Sequence, residues 1–233
     1  MHETTPLYNP PPLHFSHISK TNKNSHKMAQ TLLSFICVSF TIFVVSTVVE
    51  SRSRARMYVD SQCKSTRYPD TCVQTLLPYV SKRGLPSPKL QAQISLATCL
   101  SKARFMKTYM NMLAKNLNKT SNSGDYQAME ECLQQINDGV KQITQSFKEL
   151  QQMGKDGDEN FMWHESNVQT WVSTALTDAT TCVEGILGNG ISDSEKATIQ
   201  ARILKVKQLT SNSLALFTHF TTMYRASHGI NVP

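Results

Sequence analysis

Residues 166–182 read SNVQTWVSTALTDATTC, and the spacing of the apolar positions in this stretch decides the fold. Val168, Val172, Ala175, Ala179, Cys182 and then Ile186 recur at intervals of four, three, four, three and four. Residues three and four apart share a face at 3.6 residues per turn, so this is the seam of an amphipathic helix. Between the seam positions stand hydroxyls, Ser173, Thr174, Thr177, Thr180 and Thr181, with one carboxylate, Asp178. No base, metal-ligand set or phosphate loop accompanies them. The segment therefore reads as a packing helix with a polar, nearly uncharged outer face.

Three further segments carry the same period. Leu133, Ile136, Val140, Ile143, Phe147 and Leu150 form a second seam; Leu96, Ala103, Met106, Met110, Leu113 and Leu117, with Cys99 and Leu100, form another. The last runs through Ile199, Ile203, Val206, Leu209, Phe217 and Phe220, with a break at Ser213. The linkers TSNSGD (120–125), GKDGDEN (154–160) and GNGISD (188–193) are short and rich in helix breakers. Short loops make sequential helices antiparallel neighbours. The sequence thus predicts an all-α, up-down-up-down four-helix bundle over about 88–226, with helices roughly 40 Å long at 1.5 Å per residue.

The cysteines test that register. Folding the second bundle helix onto the third about residue 157 puts Cys132 and Cys182 each 25 positions from the turn, hence at one height. Folding the first onto the second about residue 121 leaves Cys99 and Cys132 roughly 16 Å apart along the axis. That exceeds the ~7 Å Cα separation a disulfide tolerates. Cys63 and Cys72 enclose the local stretch CKSTRYPDTC and pair most simply with each other, which leaves Cys99 as a free thiol in an apolar stripe. In a loop-entropy model, bridges 63–72 and 132–182 contribute roughly 2.7 and 4 kcal/mol.

Upstream, the run Leu32–Val49 (LLSFICVSFTIFVVSTVV) follows Lys20, Lys23 and Lys27 and precedes small residues at Ser51, Ser53 and Ala55. This is the pattern of a secretory signal peptide over 28–55, which would remove Cys37. The run would also just span a bilayer, but its five Ser and Thr argue for the cleaved form and against a membrane role afterwards. Residues 1–27, rich in Pro, Asn and His, read as a non-native or disordered extension, with translation starting at Met28.

The formal charge of +7 suggests an acidic partner or matrix. Lys and Arg are dispersed along the chain without a zinc-finger, RNP or basic-region pattern, which argues against nucleic acid. His164, His219 and His228 stand in separate segments, and no H-E-x-x-H, G-x-S-x-G or P-loop pattern occurs. Glu130 and Glu131 diverge by about 100 degrees on a helix and cannot share a proton. Asp156, Asp158 and Glu159 lack calcium-loop spacing. Met106 and Met110 follow the seam, while Met112 faces elsewhere. Trp163 and Trp171, eight residues apart on nearly one face, suggest an interface anchor or a half-buried core Trp. Asn118-Lys119-Thr120 is a glycan acceptor sequon, making Asn118 a glycosylation candidate. No cofactor is expected.

CKSTRYPDTC, MEECLQQINDGV and SNVQTWVSTALTDATTC, in that order over roughly 57–226, resemble the plant invertase and pectin methylesterase inhibitor family. The resemblance implies a domain over 56–233: a short disulfide-linked helical hairpin at about 57–83, then the bundle. It implies bridges Cys63–Cys72 and Cys132–Cys182, in agreement with the register. It also implies a non-enzymatic protein, secreted to the plant cell wall, that blocks an enzyme in a stoichiometric complex of about 1:1, acting as a monomer. Ser173, Thr177 and Thr180 are the candidate partner-binding residues. Relatives similar to cell-wall invertase inhibitors carry Pro-Lys-Phe between the second and third bundle helices; here the stretch reads MGKDGDENFMWHES. Its absence, and a basic charge suited to retention in acidic pectin, favour pectin methylesterase as target over invertase. A non-inhibitory structural or small-molecule-binding wall protein is the reading from another class.

Overall fold

Helix formation begins well before the bundle. The computed structural model describes residues 19–80, 86–117, 123–154, 160–187 and 191–230. Its helices are α1 (Ser19–Cys63), α2 (Pro69–Leu76), α3 (Pro88–Leu117), α4 (Ser123–Gln152), α5 (Phe161–Leu187) and α6 (Asp193–His228), with a 3-10 turn at Leu77–Tyr79. Among the described residues there is no strand. The chain divides into two units at residues 52 and 53. In the first unit, residues 19–27, expected to lack structure, are helical. Lys27–Val45 is an apolar helical stretch of 19 residues with mean hydropathy 2.1 and none of it buried. Residues 1–18 lie outside the described chain, as do Asn118 and the Asp156, Asp158 and Glu159 loop.

In the second unit α3 to α6 form the bundle. Each packs on its sequence neighbour, and α6 closes the ring against α3. The α5 seam is buried along its whole length, from Val168 to Ile186. Opposite it, α4 contributes Met129, Cys132, Leu133, Ile136, Ile143 and Leu150. The two helices approach closely because small residues face each other: a Cβ added at Gly139 would meet Ala175 at 3.8 Å. Cys132 is bonded to Cys182 there, with Cα atoms 4.2 Å apart.

The break in the α6 seam at Ser213 is a polar layer. Ser213 shares a 2.7 Å hydrogen bond with Ser95 of α3, and one turn away Thr210 Oγ1 lies 3.1 Å from Cys99 Sγ. All four residues are buried. Buried hydroxyls need partners, and here they find each other or the i−4 carbonyls of Leu209 and Val206. Burial pushes the Cys99 thiol up to about 12. Such a thiol is protonated and inert.

The hairpin docks on this side of the bundle. Cys63 is bonded to Cys72, with Cα atoms 5.6 Å apart. Asn212 of α6 accepts a hydrogen bond from the Tyr68 backbone N–H and donates to the Tyr68 carbonyl. Thr71 bonds Gln208, and Lys205 donates to Thr71. The helix ends follow local chemistry. Ser192 caps α6 by accepting from the Glu195 N–H, while its hydroxyl donates to the Glu195 carboxylate. Gly154 after α4 and Gly229 after α6 have φ of 73° and 66°, where a Cβ would be strained.

Candidate interaction surface

The outward stripe of α5 is longer than the seam pattern suggests. Trp163, Ser166, Thr170, Ser173, Thr177, Thr181 and Glu184 are all exposed, again at intervals of three and four. The stripe therefore opens on an aromatic ring, 61% exposed at Trp163, and continues through hydroxyls for four turns. Of the expected contact residues, Ser173 and Thr177 sit squarely on it. Thr180 lies at its flank and is half-buried.

Trp163 and Trp171 do not act as one feature. Eight residues are about 80 degrees of helix rotation, enough to leave Trp163 exposed while Trp171 is half-buried. The sequence reading grouped the two and missed that Trp163 belongs with the hydroxyls. The signal was present in the offsets 163, 166, 170, 173 and 177.

Four hydroxyl protons of this helix are committed to its own backbone, two of them on the stripe, at Thr177 and Thr181. Thr174, Thr177, Thr180 and Thr181 donate to the carbonyls of Thr170, Ser173, Leu176 and Thr177 at 2.9, 3.3, 3.0 and 3.2 Å. Back-bonding of this kind leaves the oxygen lone pairs outward. From Trp163 to Thr181 the surface is uncharged: Thr177 and Thr181 offer acceptors, while Ser166, Thr170 and Ser173 can donate as well as accept, and such a face sheds water cheaply because no charge is stripped along it.

Two cross-helix polar groupings, the first half-buried, brace the face. At the loop end of α4, Glu149 Oε1 accepts from Asn167 Nδ2 at 3.0 Å and lies 2.8 Å from His164 Nδ1. From α6, Arg225 reaches both oxygens of the buried Glu165 at 2.7 Å. His164 is thus a cross-helix bracing residue. Beside the stripe, Asp178 Oδ2 is buried without a partner. Burial raises its carboxyl above the usual carboxylate range, and the Asp138 charge adds to the shift.

Charge dispersed in sequence is segregated in space. Helix α3 carries Lys89, Lys102, Arg104, Lys107 and Lys115 and no carboxylate; α6 beyond Glu195 carries Lys196, Arg202, Lys205, Lys207 and Arg225 and none either. By contrast α5 has Glu165, Asp178 and Glu184 without a Lys or Arg, and α4 sets five carboxylates against Lys141 and Lys148. One side of the bundle is basic and the other acidic. Among the described residues no group of three or more His, Cys, Asp or Glu could hold a metal ion.

A helical bundle with this hairpin, these bridges and no assembled catalytic group has relatives. Residues 57–216 match the family model described as plant invertase/pectin methylesterase inhibitor. The chain belongs to that family. It is 35% identical over 195 residues to pectinesterase inhibitor 9 of Arabidopsis thaliana, covering 83% of this chain and 95% of that protein. It is 31% identical over 193 residues to a 21 kDa protein of Daucus carota, covering 83% and 98%. A crystal structure of a mutant form of an Arabidopsis pectin methylesterase inhibitor shares the fold, with a TM-score of 0.52 at 15% identity over 67% of this chain and 92% of that one. Membership makes this chain an inhibitor-family protein rather than an enzyme. Its N-terminal apolar helix fits a signal peptide.

Proposed function

We propose that this protein is secreted to the plant cell wall and inhibits pectin methylesterase by covering the enzyme's substrate cleft, as a monomer in a complex of about 1:1. The α5 stripe carries the reading. Trp163 supplies the kind of exposed aromatic anchor that dominates interface energetics, and the hydroxyls behind it supply an uncharged hydrogen-bonding surface about four turns long. A cleft that holds a sugar polymer must match hydroxyls that both donate and accept, and a stripe of hydroxyls can make the same kinds of hydrogen bond. No bond to the enzyme is made or broken; inhibition is by occlusion.

Target choice rests on the α4–α5 connection, which lacks Pro-Lys-Phe. Titration of the secreted protein against a plant pectin methylesterase and a cell-wall invertase tests the proposal. Pectin methylesterase should lose activity at near-equimolar inhibitor, with a complex resolved by size exclusion, while invertase retains its activity. The opposite selectivity would reassign the target. Silence toward both would favour a non-inhibitory wall protein.

A further inference from the structure

The basic side of the bundle contains a built groove that the inhibitory reading does not use. Helix α2 fills the groove between α3 and α6 as far as Lys205, which reaches Thr71. Beyond that point the groove is open. A cleft of ≈ 260 Å³ is lined by Lys102, Phe105, Met106, Ala201, Arg202 and Lys205. The Arg202 guanidinium lies 5.1 Å from the Phe105 ring centroid and 4.3 Å from that of Tyr109. Phe105 is nevertheless 59% exposed. Stacking holds the planar guanidinium in place, and among the described residues no carboxylate pairs with Lys102, Arg202 or Lys205. The nearest acids on α6 in sequence, Asp193 and Glu195, lie toward its N-terminus, and Glu195 is engaged by Ser192.

We infer that the groove formed by Lys102, Phe105, Tyr109, Arg202 and Lys205 binds a linear polyuronate, a sugar chain bearing free carboxylates. Three cations around one cleft match a repeating carboxylate, and Arg202 presents a fork suited to bidentate contact. Apolar ring surface between cations suits the C–H faces of a sugar ring, which a phosphate polymer does not offer. The chemistry of the occupant rests on the proposed function, since hydrolysis of pectin methyl esters leaves carboxylates and methanol. The groove and the hydroxyl stripe lie on different helices, so the inhibitor would be held where the enzyme's product accumulates while α5 faces the enzyme.

The test is binding of the full secreted protein to polygalacturonate, to highly methyl-esterified pectin and to DNA at 0.1 M salt. The native protein should prefer polygalacturonate at least tenfold over both; equal binding to DNA would overturn the sugar assignment. The double variant Lys102→Gln/Arg202→Gln should lose at least tenfold in affinity for polygalacturonate. Arg104→Gln/Lys115→Gln removes the same charge about 200 and about 220 degrees around α3 from Lys102 and should lose less than threefold. Equal losses would show a delocalised charge effect and sink the site. Phe105→Ala, at an exposed position, should weaken polygalacturonate binding without lowering Tm; unaltered binding would remove the ring from the site. Inhibitory titration of Lys102→Gln/Arg202→Gln should match the native protein. A protein that binds polygalacturonate and inhibits no enzyme keeps this inference and loses the proposed function, and the converse result does the reverse.

Discussion

His164 Nδ1 lies 2.8 Å from Glu149 Oε1 across the loop joining α4 to α5. Both side chains are largely buried, at 12% and 16% exposed, and Asn167 donates to the same oxygen. One carboxylate thus ties two turns of α5 to the end of α4. Glu149→Ala removes an acceptor from two partly buried donors and should cost about 2 kcal/mol. Urea unfolding would show it as a lower midpoint at unchanged slope. A change below ~0.5 kcal/mol, the usual range of surface substitutions, would mean that water replaces the carboxylate.

This pair was as legible in the sequence as the disulfide, and for the same reason. Cys132 and Cys182 stand 25 positions either side of residue 157, and Glu149 and His164 stand eight and seven. Equal distance from a turn means equal height in antiparallel helices, whatever the side chains are. Cysteines announce such a pairing because theirs has a strict distance rule, which a carboxylate and an imidazole lack. The polar layer between α3 and α6 was harder to see. Ser95 with Ser213 and Cys99 with Thr210 mirror each other about residue 154, but α3 and α6 are not joined by a loop, so no turn announced that centre. A Ser in an apolar seam then looks like a defect. Charge segregation was hidden likewise, since bases on α3 and α6 are far apart in sequence and become neighbours only when the ring closes.

Cys99 should resist thiol reagents in the native state. Its pKa of about 12 and its burial leave almost no thiolate at neutral pH. Alkylation should label it only above the denaturant midpoint, with peptides 63–72 and 132–182 remaining linked without reductant. Rapid native labelling would show that the α3–α6 layer opens.

Asp178 gives the stability curve a sign. Its folded pKa is raised above the ordinary 3.8, by burial first and by Asp138 second. The native state therefore holds this proton more tightly than the unfolded chain does. Its contribution is fully present below pH ~3.8 and is lost as pH rises through the raised value. Asp178→Asn escapes that loss. Thermal unfolding should show a higher Tm than native at pH 7 and a difference near zero at pH 3. A larger gain at pH 3 would reverse the assignment.

Gly139 lies in the interior of α4, where glycine costs helix stability relative to alanine. A Cβ there meets only Ala175 atoms, at 3.8 to 3.9 Å, which is ordinary contact. Gly139→Ala should therefore stabilise by about 0.5–1 kcal/mol, seen as a raised urea midpoint. Destabilisation would show that α4 and α5 pack without room for a methyl group.

The α5 stripe makes the sharpest functional prediction. Trp163→Ala removes an exposed ring and leaves the core untouched, so Tm should stay within about 2 °C, the effect of ~0.5 kcal/mol on a domain of this size. If Trp163 enters an enzyme pocket, affinity should fall at least thirtyfold, since a truncated anchor costs about 2 kcal/mol or more. Thr177→Lys with Thr180→Lys tests the hydroxyls behind it. Two long cationic side chains in an uncharged face would be desolvated without partners in the interface, weakening the complex mainly through faster dissociation. Thr180 is half-buried, so circular dichroism must first show an intact bundle. Inhibition unchanged in both variants would move the contact surface off α5. Loss in the Trp163 variant alone would place the contact at the loop end of the helix, where Glu149 and His164 hold its first turns.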